Sequence, residues 1–203
     1  MKFILLLLFL IPVNFALSQT PEINIGVGIN TQIPPENYEI NDRMGLYLQG
    51  SYFIPLNSLL KIGFEGSYTR LLVDDDNLIN SLALNPTSFS IDGFESQLIT
   101  SFLSLRAYKD VLNSLQIYST LGFGVFYQIQ NEGKIVYGDS FSNFVSNKTT
   151  DFGAKLGFGI STSVSSSISI YFELAYISGF TETNHTHLIP MNIGVKHYFN
   201  SFK

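Results

Sequence analysis

Four β-branched residues, Ile23, Ile25, Val27 and Ile29, occupy every second position between Asn24, Gly26, Gly28 and Asn30. A period of two belongs to an extended strand, whose successive side chains point to opposite faces. A helix would scatter the same residues around its surface, so the spacing predicts a strand over 22–30 with one apolar and one polar face. The pattern returns seven times. Strands are expected at 43–53, 59–71, 94–108, 115–128, 150–163, 167–178 and 188–199. In the fourth, Ile99, Leu103 and Leu105 oppose Thr100, Ser104 and Arg106, but Phe102 falls on the polar side.

The connections decide how these strands are arranged. Residues 31–42, with Pro34 and Pro35, cannot continue a ladder, and 72–93, 131–149 and 179–187 are also long and polar. Those around 55–58, 109–114 and 164–166 are short. An even number of strands joined by alternating long and short connections predicts an all-β, eight-stranded, antiparallel up-and-down transmembrane barrel, with the short turns and both chain ends on the periplasmic side.

Composition separates a lipid-facing barrel from a soluble one. Only 13% of residues are charged, whereas a soluble domain carries about a quarter. Turned inside out, Gln49, Lys61, Glu65, Lys155, Glu173 and Lys196 would be too few to solubilise the outside. Phe64, Phe123, Phe158 and Phe172 would form an apolar belt far larger than a normal surface patch. The apolar set is therefore placed against lipid. Aromatic residues near strand ends, namely Tyr52, Phe53, Tyr68, Tyr127, Tyr176, Tyr198 and Phe199, suit interfacial girdles.

The first residues read as an export signal. Lys2 precedes an apolar run over 3–13, and Ala16-Leu17-Ser18 is a small-residue cleavage site, which divides the chain into a signal peptide, 1–18, and a barrel domain, 19–203. Without cysteine there is neither a lipoprotein anchor nor a disulfide. Loss of Lys2 takes the formal charge from −5 to −6, which argues against nucleic acid as a partner.

The polar face foretells the interior. Gly122, Gly124, Gly157 and Gly159 make space for Tyr118, Tyr171, Lys155 and Glu173. If the last short turn centres near Val164, facing residues have numbers summing to about 328, so Lys155 would oppose Glu173. Buried charges require partners, and Lys155, Glu173 and Glu65 are the expected lumen ion-pair residues. A filling and stiffening role is expected of them, with gating as the sharper alternative.

At the C-terminus, Met191, Ile193, Val195 and Phe199 alternate with Asn192, Gly194, Lys196 and Tyr198. Asn192, Gly194 and Phe199 resemble the terminal assembly signal of outer-membrane barrels, with a polar residue, a glycine two positions on and an aromatic near the end. By this signal and by its strand pattern the chain resembles the small outer-membrane β-barrel superfamily of OmpA/OmpX-like and PorT-like proteins. The resemblance implies an integral, multi-pass, monomeric protein of the outer membrane, inserted by the barrel assembly machinery and in contact with outer-membrane lipids and lipopolysaccharide. It implies a structural, adhesion-like or secretion-accessory role carried by the external loops. An outer-membrane lipid A-modifying hydrolase and a narrow channel are the alternatives.

Reactive side chains are few. His185 and His187, with Glu182 nearby, could present imidazoles at an outer loop, but the His-x-Ser pattern of the deacylase-like barrels is absent. Asp74-Asp75-Asp76 lacks the rest of a calcium loop and reads as a solvated acidic run. No catalytic, cofactor-binding or metal-binding residue is assigned, and no enzymatic activity is expected.

Overall fold

The computed structural model describes residues 20–33, 43–72, 89–92, 95–137, 140–180 and 186–199. In chain order the strands are β1 (Glu22–Ile33), β2 (Arg43–Pro55), β3 (Leu60–Leu72), β4 (Phe89–Asp92), β5 (Ser96–Leu112), β6 (Leu115–Gln130), β7 (Gly133–Tyr137), β8 (Ser140–Phe144), β9 (Asn147–Ser163), β10 (Ile168–Phe180) and β11 (Thr186–Tyr198). Eight of them close a barrel in the order β1-β11-β10-β9-β6-β5-β3-β2. Every neighbouring pair is antiparallel, and β1 meets β11 with Ile25 opposite Val195 and Gly26 opposite Gly194.

The alternation sorts side chains as the pattern requires. Ile25, Leu46, Phe64, Phe123, Phe158 and Ile193 are exposed on the outer wall. Asn24, Gln49, Glu65, Thr120, Lys155, Glu173 and Lys196 are buried inside. Tyr52 and Tyr176 lie on the outer wall near strand ends, but Phe53 is wholly buried in the lumen, where a guanidinium covers its ring, and is no girdle residue.

Several strands run past their expected ends. β5 and β9 have 17 residues each, and strands of about ten suffice to cross a bilayer when tilted. The charged pair Lys109-Asp110 continues the ladder of β5, and the chain turns only at Asn113 and Ser114. A register shift between Asp110 and Leu112 absorbs the extra residue. At another short turn, Asn57 Oδ1 accepts hydrogen bonds from the amides of Leu59 and Leu60, a side-chain mimic of a backbone turn.

The long connections also differ from expectation. Between β6 and β9, residues expected to be loop form the β7-β8 hairpin. β4, from the connection before β5, pairs with β7, so two connections at the same end of the barrel share a three-stranded sheet. At four or five residues each, these strands are too short to show a clear period of two. Pro34, Pro35, the acidic triplet at 74–76, Glu182, His185 and the leader lie outside the described residues.

Closure by β1 and β11 is testable in a chain without cysteine. Cα atoms directly opposite in antiparallel strands lie within disulfide range, so Ile25→Cys with Val195→Cys is expected to cross-link the ends. Denatured protein should then migrate faster on a non-reducing gel and revert with reductant; unchanged mobility would contradict this register.

Candidate functional site in the barrel lumen

The polar half of the lumen is organised around Arg106, whose even position on β5 places it beside Thr100 and Ser104 on the inner face. Its Nη2 reaches Glu65 Oε2 and Glu173 Oε2, both at 3.2 Å, and Nη1 lies 3.4 Å from Glu22 Oε1. Nε donates to Thr120 Oγ1 at 2.9 Å. The guanidinium plane lies 4.0 Å from the centroid of Phe53 and 4.6 Å from that of Tyr118. Its charge is thus satisfied by carboxylates along the edges and by aromatic faces elsewhere.

Lys155 supplies a second bridge. Its ammonium lies 2.8 Å from Glu173 Oε1 and 2.9 Å from Glu65 Oε2. The structure therefore brings Lys155, Glu173 and Glu65 together, but not through the expected opposition. On β9 and β10, paired residues have numbers summing to 332, as in Ser169 with Ser163, so Lys155 faces Ile177 and Glu173 faces Gly159. The turn spans Ser163 to Ile168 and centres later than Val164, with the Val164 and Ser165 amides both bonded to the Ile168 carbonyl. The lysine and glutamate still meet because both side chains are long and the paired inward residues between them, Gly157 and Ala175, are small. A Cβ at Gly157 would stand 3.6 Å from the Glu173 carboxyl group.

Glu22 closes the network at the short-turn end, bound by Lys61 and by the Tyr108 hydroxyl. Gln49 donates to Glu65 at 2.7 Å and accepts from Asn192 at 3.0 Å, which links β11 to β2 and β3 across the lumen. Lys196 donates to Ser161 Oγ at 3.3 Å and sits 3.8 Å from the Tyr118 ring centroid. The sequence reading missed the central role of Arg106 and the inclusion of Glu22 and Lys61. Their parity along the strands was the available signal, since all share the inward face of their polar neighbours.

Toward the long connections the lumen is mixed, with Thr69, Ser96, Thr100 and Gln128 buried among apolar side chains. Leu71, Leu98, Phe102, Phe126, Ile177 and Leu188 form one buried cluster near the long-connection end. Phe102, anomalous on a polar face, belongs here. The ring of Phe126 packs over Gly179, where a Cβ would come within 3.4 Å.

The three residues resembling an assembly signal occupy different environments. Asn192 is buried and bonded to Gln49, whereas Gly194 lies under the Tyr171 ring. Phe199 is 40% exposed, and its amide donates to the Pro21 carbonyl at 3.0 Å. On the outer wall, His187 Nδ1 lies 2.8 Å from the Tyr176 hydroxyl with the two rings stacked. Among the described residues no group of three potential metal ligands comes together. Glu95, just before β5, accepts a bidentate interaction from Arg70, which holds its carboxyl below the ordinary carboxylate range.

Removing one partner from a buried network leaves other charges uncompensated. Glu173→Ala is expected to lower unfolding free energy by about 3 kcal/mol in urea titrations of the micelle-bound barrel. Glu95→Ala, which touches only an exposed pair, should leave the midpoint unchanged. Equal midpoints for the two variants would remove the network from the stability account.

The fold is shared widely. Neisserial surface protein A superposes with a TM-score of 0.57 at 13% identity, over 88% of this chain and 97% of that one. Ail, the attachment invasion locus protein of Yersinia pestis, gives 0.52 at 12% identity, with 89% and 99% covered. A major outer membrane protein from Thermus thermophilus gives 0.54 at 12% identity, with 90% and 100% covered. No curated protein matches by sequence. The model of the outer membrane protein beta-barrel domain matches residues 3–198, nearly the whole chain. With a closed eight-stranded wall, an apolar exterior and a polar network inside, this chain belongs to the outer membrane protein beta-barrel family and is an integral protein of that membrane.

Proposed function

We propose that the barrel is a non-conducting support that presents a recognition surface outside the cell, serving attachment or assisting secretion, without catalysis. The observation that carries this reading is the filled lumen. Arg106, Lys155 and their carboxylates occupy one layer, and six apolar side chains occupy the next. An eight-stranded barrel has an interior just wide enough for side chains to fill, and an apolar cluster resists hydration. The filled interior favours the support reading over the narrow channel.

At the other end, the pairing of β4 with β7 gives the long connections an ordered surface. In this reading the signal peptide is removed after residue 18, the barrel assembly machinery inserts a monomer, and lipids and lipopolysaccharide surround it. Asn192, Gly194 and Phe199 would serve as the assembly signal.

Two measurements test the proposal. In planar bilayers the purified barrel should pass no steady ionic current. Steady current through the unaltered barrel would favour the channel. Replacing residues 133–144 with Asn-Gly should preserve heat-modifiable gel mobility while reducing attachment to immobilised matrix proteins, or secretion by the expressing cell, to the level of cells lacking the protein. Retention of both activities would remove this sheet from recognition.

A further inference from the structure

The outer wall is not uniformly filled. A cleft of about 170 Å³ opens between the side chains of Leu115, Ile160, Thr162, Ile170, Phe172 and Ile193. The register explains it. Thr162 lies directly between Leu115 on β6 and Ile170 on β10, while Phe172 lies between Ile160 and Ile193 in the next outward-facing row. A short side chain thus stands where its neighbours are long. Ile160, Ile170 and Ile193 are stiff at χ1, so they do not readily collapse into the space.

The position of the cleft selects its occupant. It lies beside the 163–168 turn, hence in the half of the wall nearest the periplasm, and is continuous with the lipid-facing belt. A cavity of about 150 Å³ holds a benzene molecule, so this one accommodates a comparable length of hydrocarbon chain. His197 pairs with Ile168 at the adjacent rim, is exposed, and meets the Phe199 ring edge-on at 5.3 Å. A polar group therefore lies at the rim of the wall beside an apolar cleft.

We propose that this cleft holds one acyl chain of a glycerophospholipid from the periplasmic leaflet, with the headgroup at the level of His197. Hydrocarbon already surrounds the wall, so the preference arises from packing rather than from expulsion of water. A linear chain can follow the cleft by changing its rotamers, whereas a neighbouring barrel would need a projecting side chain of matching shape.

Native mass spectrometry of the full mature barrel in detergent, with palmitoyl-oleoyl phosphatidylethanolamine as the probe, tests the assignment. The unaltered protein and Ala107→Phe, which adds an outward ring on β5 away from the cleft, should each retain one lipid. Thr162→Phe fills the cleft and should reduce the lipid-bound fraction about tenfold, the loss of roughly ten carbon contacts. Thr162→Leu should give a smaller reduction and serves if the phenylalanine variant lacks the compact, heat-modifiable form. Equal retention in the threonine variants and the unaltered protein would overturn the proposal. So would an equal loss in Ala107→Phe, or an added mass equal to a second barrel.

Discussion

Hydrocarbon offers no hydrogen-bond partner to a peptide group, and this constraint governs the whole molecule. A sheet in that solvent cannot keep an open edge. The pairing of β1 with β11 removes the last one, by joining two segments separated by nearly the whole sequence. Both strands then carry additional work inside the lumen. β1 contributes Glu22, while β11 contributes Asn192 and Lys196, so the ends that close the wall also complete the interior network.

That interior has two regions of different chemistry. Three carboxylates, Arg106 and Lys155 interlock in the first, and the second gathers six aliphatic and aromatic side chains with neutral polar ones such as Thr69 and Gln128 between them. Each makes the other more effective. The apolar cluster lowers the local dielectric and strengthens the ion pairs, and the network fixes strands on opposite sides of the barrel relative to one another. Glycine supplies the remaining room. Tyr171 lies against Gly26 and Gly194, and Tyr118 lies against Gly159, at positions where a Cβ would meet the ring.

Much of this could be read directly from side-chain alternation. The eight wall strands and their faces follow from parity, because a membrane strand must sort its residues between lipid and lumen. Lys155 and Glu173 were identifiable as inward charges, but their true register was not, since a turn of serines gives little indication of its centre. Phe53 and Phe102 illustrate another limit. A ring on the polar face can mark an interfacial girdle or an interior contact, and only the packing beneath Arg106 or beside Phe126 distinguishes them. The β7-β8 hairpin escaped notice because strands outside the bilayer have no lipid-facing side to impose the alternation.

The ladder between β4 and β7 has a consequence for how the outer surface can change. Its two strands come from separate connections, yet each supplies the backbone partners of the other. A length change in either segment must preserve that ladder or release both, so the two connections are expected to diversify as a unit. A surface tied in this way also has less conformational entropy to lose when a partner binds than two independent loops would.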